Sequence, residues 1–300
     1  MSDTGEIILN AYKNHFVIPA FNIPYLPMMR PLVQAIIDTE AFCLIQVARL
    51  EWEKFEAGSL EAVAEEYMHF CDERFMRLHL DHVPVKDEDG IMVDYLPIIK
   101  RALAAGYQSV MIDGSRLELD QNKKATISVV KMAHAEGIPV EAELGAVFGH
   151  ESEMLPPYEE LFASEKGFTD PDMAADFVTS TGIDWLSVSI GNIHGAISVS
   201  ARGKEKPKAR LNLDRLTLIS QKTGIPLVLH GGTGIDIDNI LAGVQRGIAK
   251  INIGTAIRVP YEKMRASGEE VAMNAVYEAT VHEIEALKMR GSAKKLGIII

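Results

Sequence analysis

The feature that most constrains this chain is a repeated alternation. Short apolar or β-branched runs recur along its whole length, each followed by a polar loop and a stretch of helical period. The runs are Val17–Asn22, Cys43–Val47, Met76–Asp81, Ser109–Ile112, Pro139–Leu144, Trp185–Ile190, Leu227–His230 and Ala249–Ile253. Each is too short and too uniformly apolar for a surface helix, and reads as a buried strand. Helical segments are expected over Met28–Thr39, Ser59–Phe70, Leu96–Ala105, Asn122–Glu136, Asp172–Ser180, Asn212–Lys222 and Asp236–Arg246, with a long helical tail from Ile257 to about Met289. Eight strands alternating with eight helices predict a (β/α)8 TIM barrel. A doubly wound sheet shares the alternation, and the count of eight favours the barrel. No linker or repeat divides the chain, so residues 1–300 are expected to form one domain with a C-terminal helical extension from about 257. Loops at Gly145–Thr169 and Ala201–Arg210 are long enough to be functional.

A barrel of this kind collects its chemistry at the C-terminal ends of its strands. Those ends carry Asn22, Asp81-His82, Asp113, Glu143, His194-Gly195, His230 and Asn252–Thr255. His82, His194 and His230 fall on one rim, and three imidazoles with an open position suit a catalytic zinc ion. Each of them alone is as easily a hydrogen-bonded structural histidine. After His230 the chain turns through Gly231-Gly232-Thr233-Gly234 before a helix, and Asn252 to Thr255 follow the next strand. Exposed N–H groups in those two loops form an oxyanion cup of the sort that holds phosphate. Their glycines also serve simply to turn the chain. Asp113 and Glu143 are candidates either to orient the histidines or to form an alternate cation site, and His79, in mid-strand, is expected to pack or support them.

Composition narrows the partners. A net charge of −12 argues against a nucleic-acid partner, because a phosphate backbone needs a basic face. No segment reads as a signal peptide or a membrane span. Cys43 and Cys71 are expected to be buried thiols of a reducing, cytoplasmic protein.

The motifs Leu78–His82, Met111–Ser115, Val140–Gly145, Gly191–Gly195, Leu229–Gly234 and Lys250–Thr255, in that order, resemble those of the class II, zinc-dependent ketose-bisphosphate aldolases, the fructose- and tagatose-bisphosphate aldolases among them. The resemblance runs from Phe21-Asn22 to Thr255. It implies zinc on His82, His194 and His230, with Asp81 as acid/base at the hydroxyl that becomes the aldehyde. It implies that Glu151, or failing it Glu153, exchanges a proton with a zinc-stabilised enediolate. It places Asn22, Gly195, Gly231, Gly232, Thr233, Asn252 and Thr255 around a substrate phosphate, and implies a monovalent cation (Na+ or K+) nearby and a homodimer or homotetramer. The activity implied is reversible cleavage of a ketose (bis)phosphate to dihydroxyacetone phosphate and an aldehyde.

The chain departs from the family in three places. Gln46-Val47-Ala48-Arg49 stands where many members have a serine on the far phosphate, Gly254 stands where an aspartate is common, and Ala146–Glu151 lacks the usual two glycines. These changes point to an altered aldehyde partner, with Arg49 as a candidate anion contact. A non-catalytic partner subunit and a zinc hydrolase on the same barrel are the competing readings.

Overall fold

A computed structural model describes residues 3–147, 157–193 and 209–298. Eight parallel strands close into a barrel in sequence order: β1 Ile18–Asn22, β2 Cys43–Ala48, β3 Met76–Pro84, β4 Ser109–Asp113, β5 Val140–Leu144, β6 Trp185–Val188, β7 Leu227–Leu229 and β8 Ile248–Ile253. The (β/α)8 barrel read from the alternation is the observed fold. Closure between β1 and β8 pairs Ile18 with Lys250 and Ala20 with Asn252, which leaves no exposed sheet edge.

Successive strand residues face opposite ways, and the two faces differ sharply here. Outward positions such as Leu78, Leu80, Ala142, Ile251 and Ile253 join the apolar layer beneath the helices. Inward positions mix apolar residues such as Ile18 and Ala20 with polar ones that meet across the barrel. Lys250 of β8 meets Glu141 of β5, and Asn252 of β8 meets Asp81 of β3. These strands are not neighbours, so the contacts cross the barrel lumen.

Several expectations are corrected. A helix at Thr4–Lys13, capped by the Asp3 carboxylate on the Glu6 amide, precedes β1 and packs on β8 through buried Ile7, Ile8 and Ala11. A short helix, Arg49–Lys54, follows β2 directly, and another, Tyr158–Ser164, occupies part of the long loop after β5. The C-terminal tail is not one helix. It breaks between Thr255–Met264 and Glu269–Ala286, where Gly268 takes φ 117°. Its apolar stripe (Ala272, Val276, Ile284) is buried on this chain's own helix Met29–Thr39, and the amide of Phe42 donates to Ser292 Oγ at 2.8 Å. That face of the tail is therefore covered within one chain, while Met264 and Val271 stay exposed. Cys43 is buried as expected, whereas Cys71 is partly exposed.

Gly145 ends β5 at φ 98°, and a Cβ there would stand 2.6 Å from Thr169 Oγ1 and 2.9 Å from the Gly167 carbonyl oxygen. Gly145→Ala should lose about 2 to 4 kcal/mol, combining a left-handed backbone with a clash against main chain. Urea unfolding measures it, and an unchanged midpoint would mean the turn relaxes freely.

Among the described residues no helix is long and apolar enough to cross a membrane.

Candidate active site

Asp81 and His82 lie next to each other on β3, so their side chains leave on opposite sides of the strand direction. A register shift between Leu80 and Val83 lets both reach the barrel mouth. His230 follows the last residue of β7. One ligand atom from each of Asp81, His82 and His230 lies within 4.8 Å of the others, and His82, Asp113 and Glu143 form a second such group. The rings of His82 and His230 meet edge to face with centroids 4.5 Å apart.

The arrangement fits a metal ion on the chemistry of its donors. His82 Nδ1 pairs with Asp113 Oδ2 at 3.1 Å, and His230 Nε2 pairs with Glu141 Oε1 at 2.8 Å. Each ring is thus oriented by a carboxylate at one nitrogen, and the other, Nε2 of His82 and Nδ1 of His230, is buried and would serve as the ligand atom. Glu143 Oε2 stands 3.3 Å from His230 Nδ1. Imidazole nitrogens with carboxylate oxygens suit zinc. His194, Gly195, Glu151 and Glu153 lie outside the described residues.

Asp81 is 2% exposed and receives three side-chain amides. Asn252 donates to Oδ1 at 2.9 Å, while Asn22 at 2.9 Å and Gln46 at 3.3 Å donate to Oδ2. Burial alone would raise its pKa, but the neighbouring His82 and Lys250 overcome that and hold it at about 2. The group is a fixed carboxylate at any working pH. Asn22 and Asn252, expected around the substrate, both donate to Asp81. They occupy inward positions of β1 and β8, from which a short amide side chain reaches across to β3.

Three buried groups escaped the sequence reading as site residues. Glu141 joins His230, Trp185 Nε1 at 2.7 Å and Lys250 at 2.8 Å, and burial is overcome by Lys250 and the His230 hydrogen bond, holding its pKa well below the carboxylate range. Lys250 is the second. Their signal was present: a glutamate and a lysine at inward positions of apolar strands have little to satisfy them but one another. The third is Glu51, on the helix after β2. Its Oε2 accepts from the Ala48 amide at 2.8 Å and from Asn22 Nδ2 at 3.2 Å. Nothing in the sequence pattern told it from its exposed neighbours. His79 is fully buried, bonded to Ser109 Oγ at 2.8 Å, and burial with Lys250 lowers it to about 3, so it stays neutral.

Burial raises Glu51 from 4.5 to about 8. The folded chain keeps a proton that the unfolded chain has released, so this residue costs stability as pH climbs through that window. Glu51→Gln should gain on wild type with rising pH, by up to about 4 kcal/mol above pH 8. Urea titrations at pH 5, 7 and 9 read this directly. A pH-independent difference would show that Glu51 ionises normally.

Arg49 pairs with Glu53 at 2.8 Å and lies 3.5 Å from Asp87. Its charge is engaged by the chain's own carboxylates, which weakens the case for it as a substrate anion contact.

In the cup region, Gly231 takes φ 65° and Gly234 φ 91°, and a Cβ on Gly232 would meet Ile251 Cδ1 at 2.8 Å. Thr255 opens the helix Thr255–Met264, whose N-terminus has no side-chain cap. Both loops border the mouth beside Asn252.

Comparison with known proteins agrees with this geometry. Residues 2–294 match the family described as fructose-bisphosphate aldolase class-II. A fructose-bisphosphate aldolase from Streptococcus pyogenes serotype M3 is 33% identical over 290 residues, covering 95% of this chain and 87% of that protein. One from Giardia intestinalis is 29% identical over 275 residues, covering 85% and 78%. The crystal structure of the YdjI aldolase from Escherichia coli K12 superposes with a TM-score of 0.75 at 25% identity, covering 97% of this chain and 99% of that one.

Proposed function

This chain belongs to the class II fructose-bisphosphate aldolase family and is a lyase, and from that premise we propose that it reversibly cleaves a ketose (bis)phosphate to dihydroxyacetone phosphate and an aldehyde. The observation that carries the reading is the juxtaposition of an ionised, triply hydrogen-bonded Asp81 with the His82–His230 pair. His82 and His230, with His194 as third ligand, would hold zinc, which when bound supplies a Lewis acid for the substrate carbonyl.

The protein's own groups account for the remaining steps. Asp81 takes the proton of the hydroxyl whose carbon becomes the aldehyde, and returns it in the condensation direction. Asn22, Gln46 and Asn252 hold both carboxylate oxygens still, so no reorganisation is needed when the proton moves. The backbone of Gly231–Thr233 and the helix N-terminus at Thr255 bind the phosphate, which fixes the substrate against Asp81. Gly195 would contribute to that cup, and a bound Na+ or K+ ion would supply charge balance for the phosphate. Glu151, with Glu153 as the alternative, exchanges the proton at the carbon that loses the aldehyde. The protein works as a cytoplasmic homodimer or homotetramer.

The engagement of Arg49 and the carboxyl of Glu51 beside Asn22 support a different aldehyde half from that of the fructose-bisphosphate aldolases. Zinc-loaded protein tested on fructose and tagatose 1,6-bisphosphates and on ketose 1-phosphates should release dihydroxyacetone phosphate from at least one. Condensation of that phosphate with a panel of aldehydes then identifies the partner. No cleavage and no condensation across both sets would end the reading.

A further inference from the structure

Lys250 has no part in the steps above, yet it sits at the centre of the polar lumen. It is fully buried on β8. Its Nζ lies 2.8 Å from Glu141 Oε2 and donates to Asn252 Oδ1 at 2.7 Å. We propose that Lys250 is a positioning residue that fixes the Asn252 amide against Asp81 and the Glu141 carboxylate against His230.

The first half follows from donor and acceptor matching. The two ends of an asparagine amide are nearly equal in shape, so packing alone hardly selects one orientation. An ammonium has donors only. Flipping Asn252 would set its NH2 against Lys250 and its carbonyl against the Asp81 carboxylate, a clash at both ends. With Lys250 present, one orientation survives, and its N–H reaches Asp81 Oδ1 at 2.9 Å. The second half runs through Glu141. Lys250 and Trp185 both engage Oε2, which leaves Oε1 to accept from His230 Nε2 at 2.8 Å. That bond fixes the ring's orientation and, where Nδ1 takes up a metal, keeps the remaining ring proton on Nε2. One buried cation therefore sets the acid/base on one side and a metal-ligand nitrogen on the other. Both effects act through a neighbour, and Lys250 itself need not touch substrate or metal.

The turnover part of the test rests on the aldolase reading, and the metal part does not. Lys250→Met should lower kcat by about 10- to 100-fold with KM within twofold, the size of one charge-assisted hydrogen bond. Zinc held against a competing chelator should weaken by about 10- to 100-fold. In an Asn252→Ala background kept saturated with zinc the same change should have little further effect on kcat, because the Asn252 route is gone and saturation covers the His230 route. A purely structural lysine would lower thermal stability, leave kcat per folded molecule unchanged, and add its effect to that of Asn252→Ala. Either kcat or zinc retention staying within twofold of wild type, or additivity in the cycle, overturns the proposal. Should Lys250→Met fail to fold because Glu141 is left as a stranded buried charge, Lys250→Met/Glu141→Gln removes both charges. Its kcat relative to Glu141→Gln alone then decides. If wild-type protein cleaves no ketose phosphate, the aldolase reading fails, and the chelator competition still judges Lys250.

Discussion

Asp81→Ala is expected to lower kcat by about 10²- to 10⁴-fold and to leave zinc bound. The rate loss is the usual worth of a positioned general acid/base. Metal retention follows from the hydrogen bonds: both Asp81 oxygens are taken by the amides of Asn22, Gln46 and Asn252, while the histidines are oriented independently by Asp113 and Glu141. Alanine avoids the complication that an asparagine would turn its own N–H groups toward three donors. Three amides lose an acceptor, so the variant should be less stable by about 1 to 3 kcal/mol. Steady-state kinetics with metal analysis on the same preparation checks both halves. Near-normal turnover would move the acid/base elsewhere, and loss of zinc with loss of turnover would make Asp81 a ligand.

Stripping the metal should abolish turnover, zinc should restore it, and zinc affinity should fall with falling pH. Burial works against a charge on His82, yet Asp81, Asp113 and Glu143 together lift its pKa to about 10 without metal. A cluster this acidic takes either a proton or a metal cation. At neutral pH the metal-free imidazole is protonated, so zinc must displace that proton, and affinity should drop about tenfold per pH unit below that value. Competition against a chelator at several pH values, with the chelator's own protonation accounted for, measures the slope. A flat profile would mean that His82 is not a ligand. Turnover unaffected by thorough metal removal would remove the electron sink and with it the aldol chemistry.

The legible part of the site was the part written as local pattern. His82 and His230 stand at the ends of apolar runs, and strand ends converge once a barrel is inferred. Asp81 was visible as the neighbour of His82. The turn at Gly231–Gly234 was visible because glycines mark positions of left-handed backbone, and Gly231 and Gly234 do take positive φ. The helices at Thr4–Lys13 and Arg49–Lys54 were missed because helical period needs several turns to show, and the second has only 6 residues. The tail read as one helix because apolar periodicity runs through Gly268, whose backbone breaks the geometry without breaking the pattern.

By itself the sequence determined the eight-stranded barrel, the rim on which chemistry collects, and the pairing of imidazoles with Asp81, since these depend on the order and spacing of residues along one chain. Only the tertiary structure decided what each polar group faces. Asn252 lies 171 positions from Asp81, and His230 lies 89 from Glu141, and closing the sheet brings both pairs together across its interior. Low dielectric then makes each unpaired donor or charge costly, and most of the polar groups there are paired with one another. That selection set the amides of Asn22 and Asn252 on Asp81 and gave Glu51 a place that no local pattern announces.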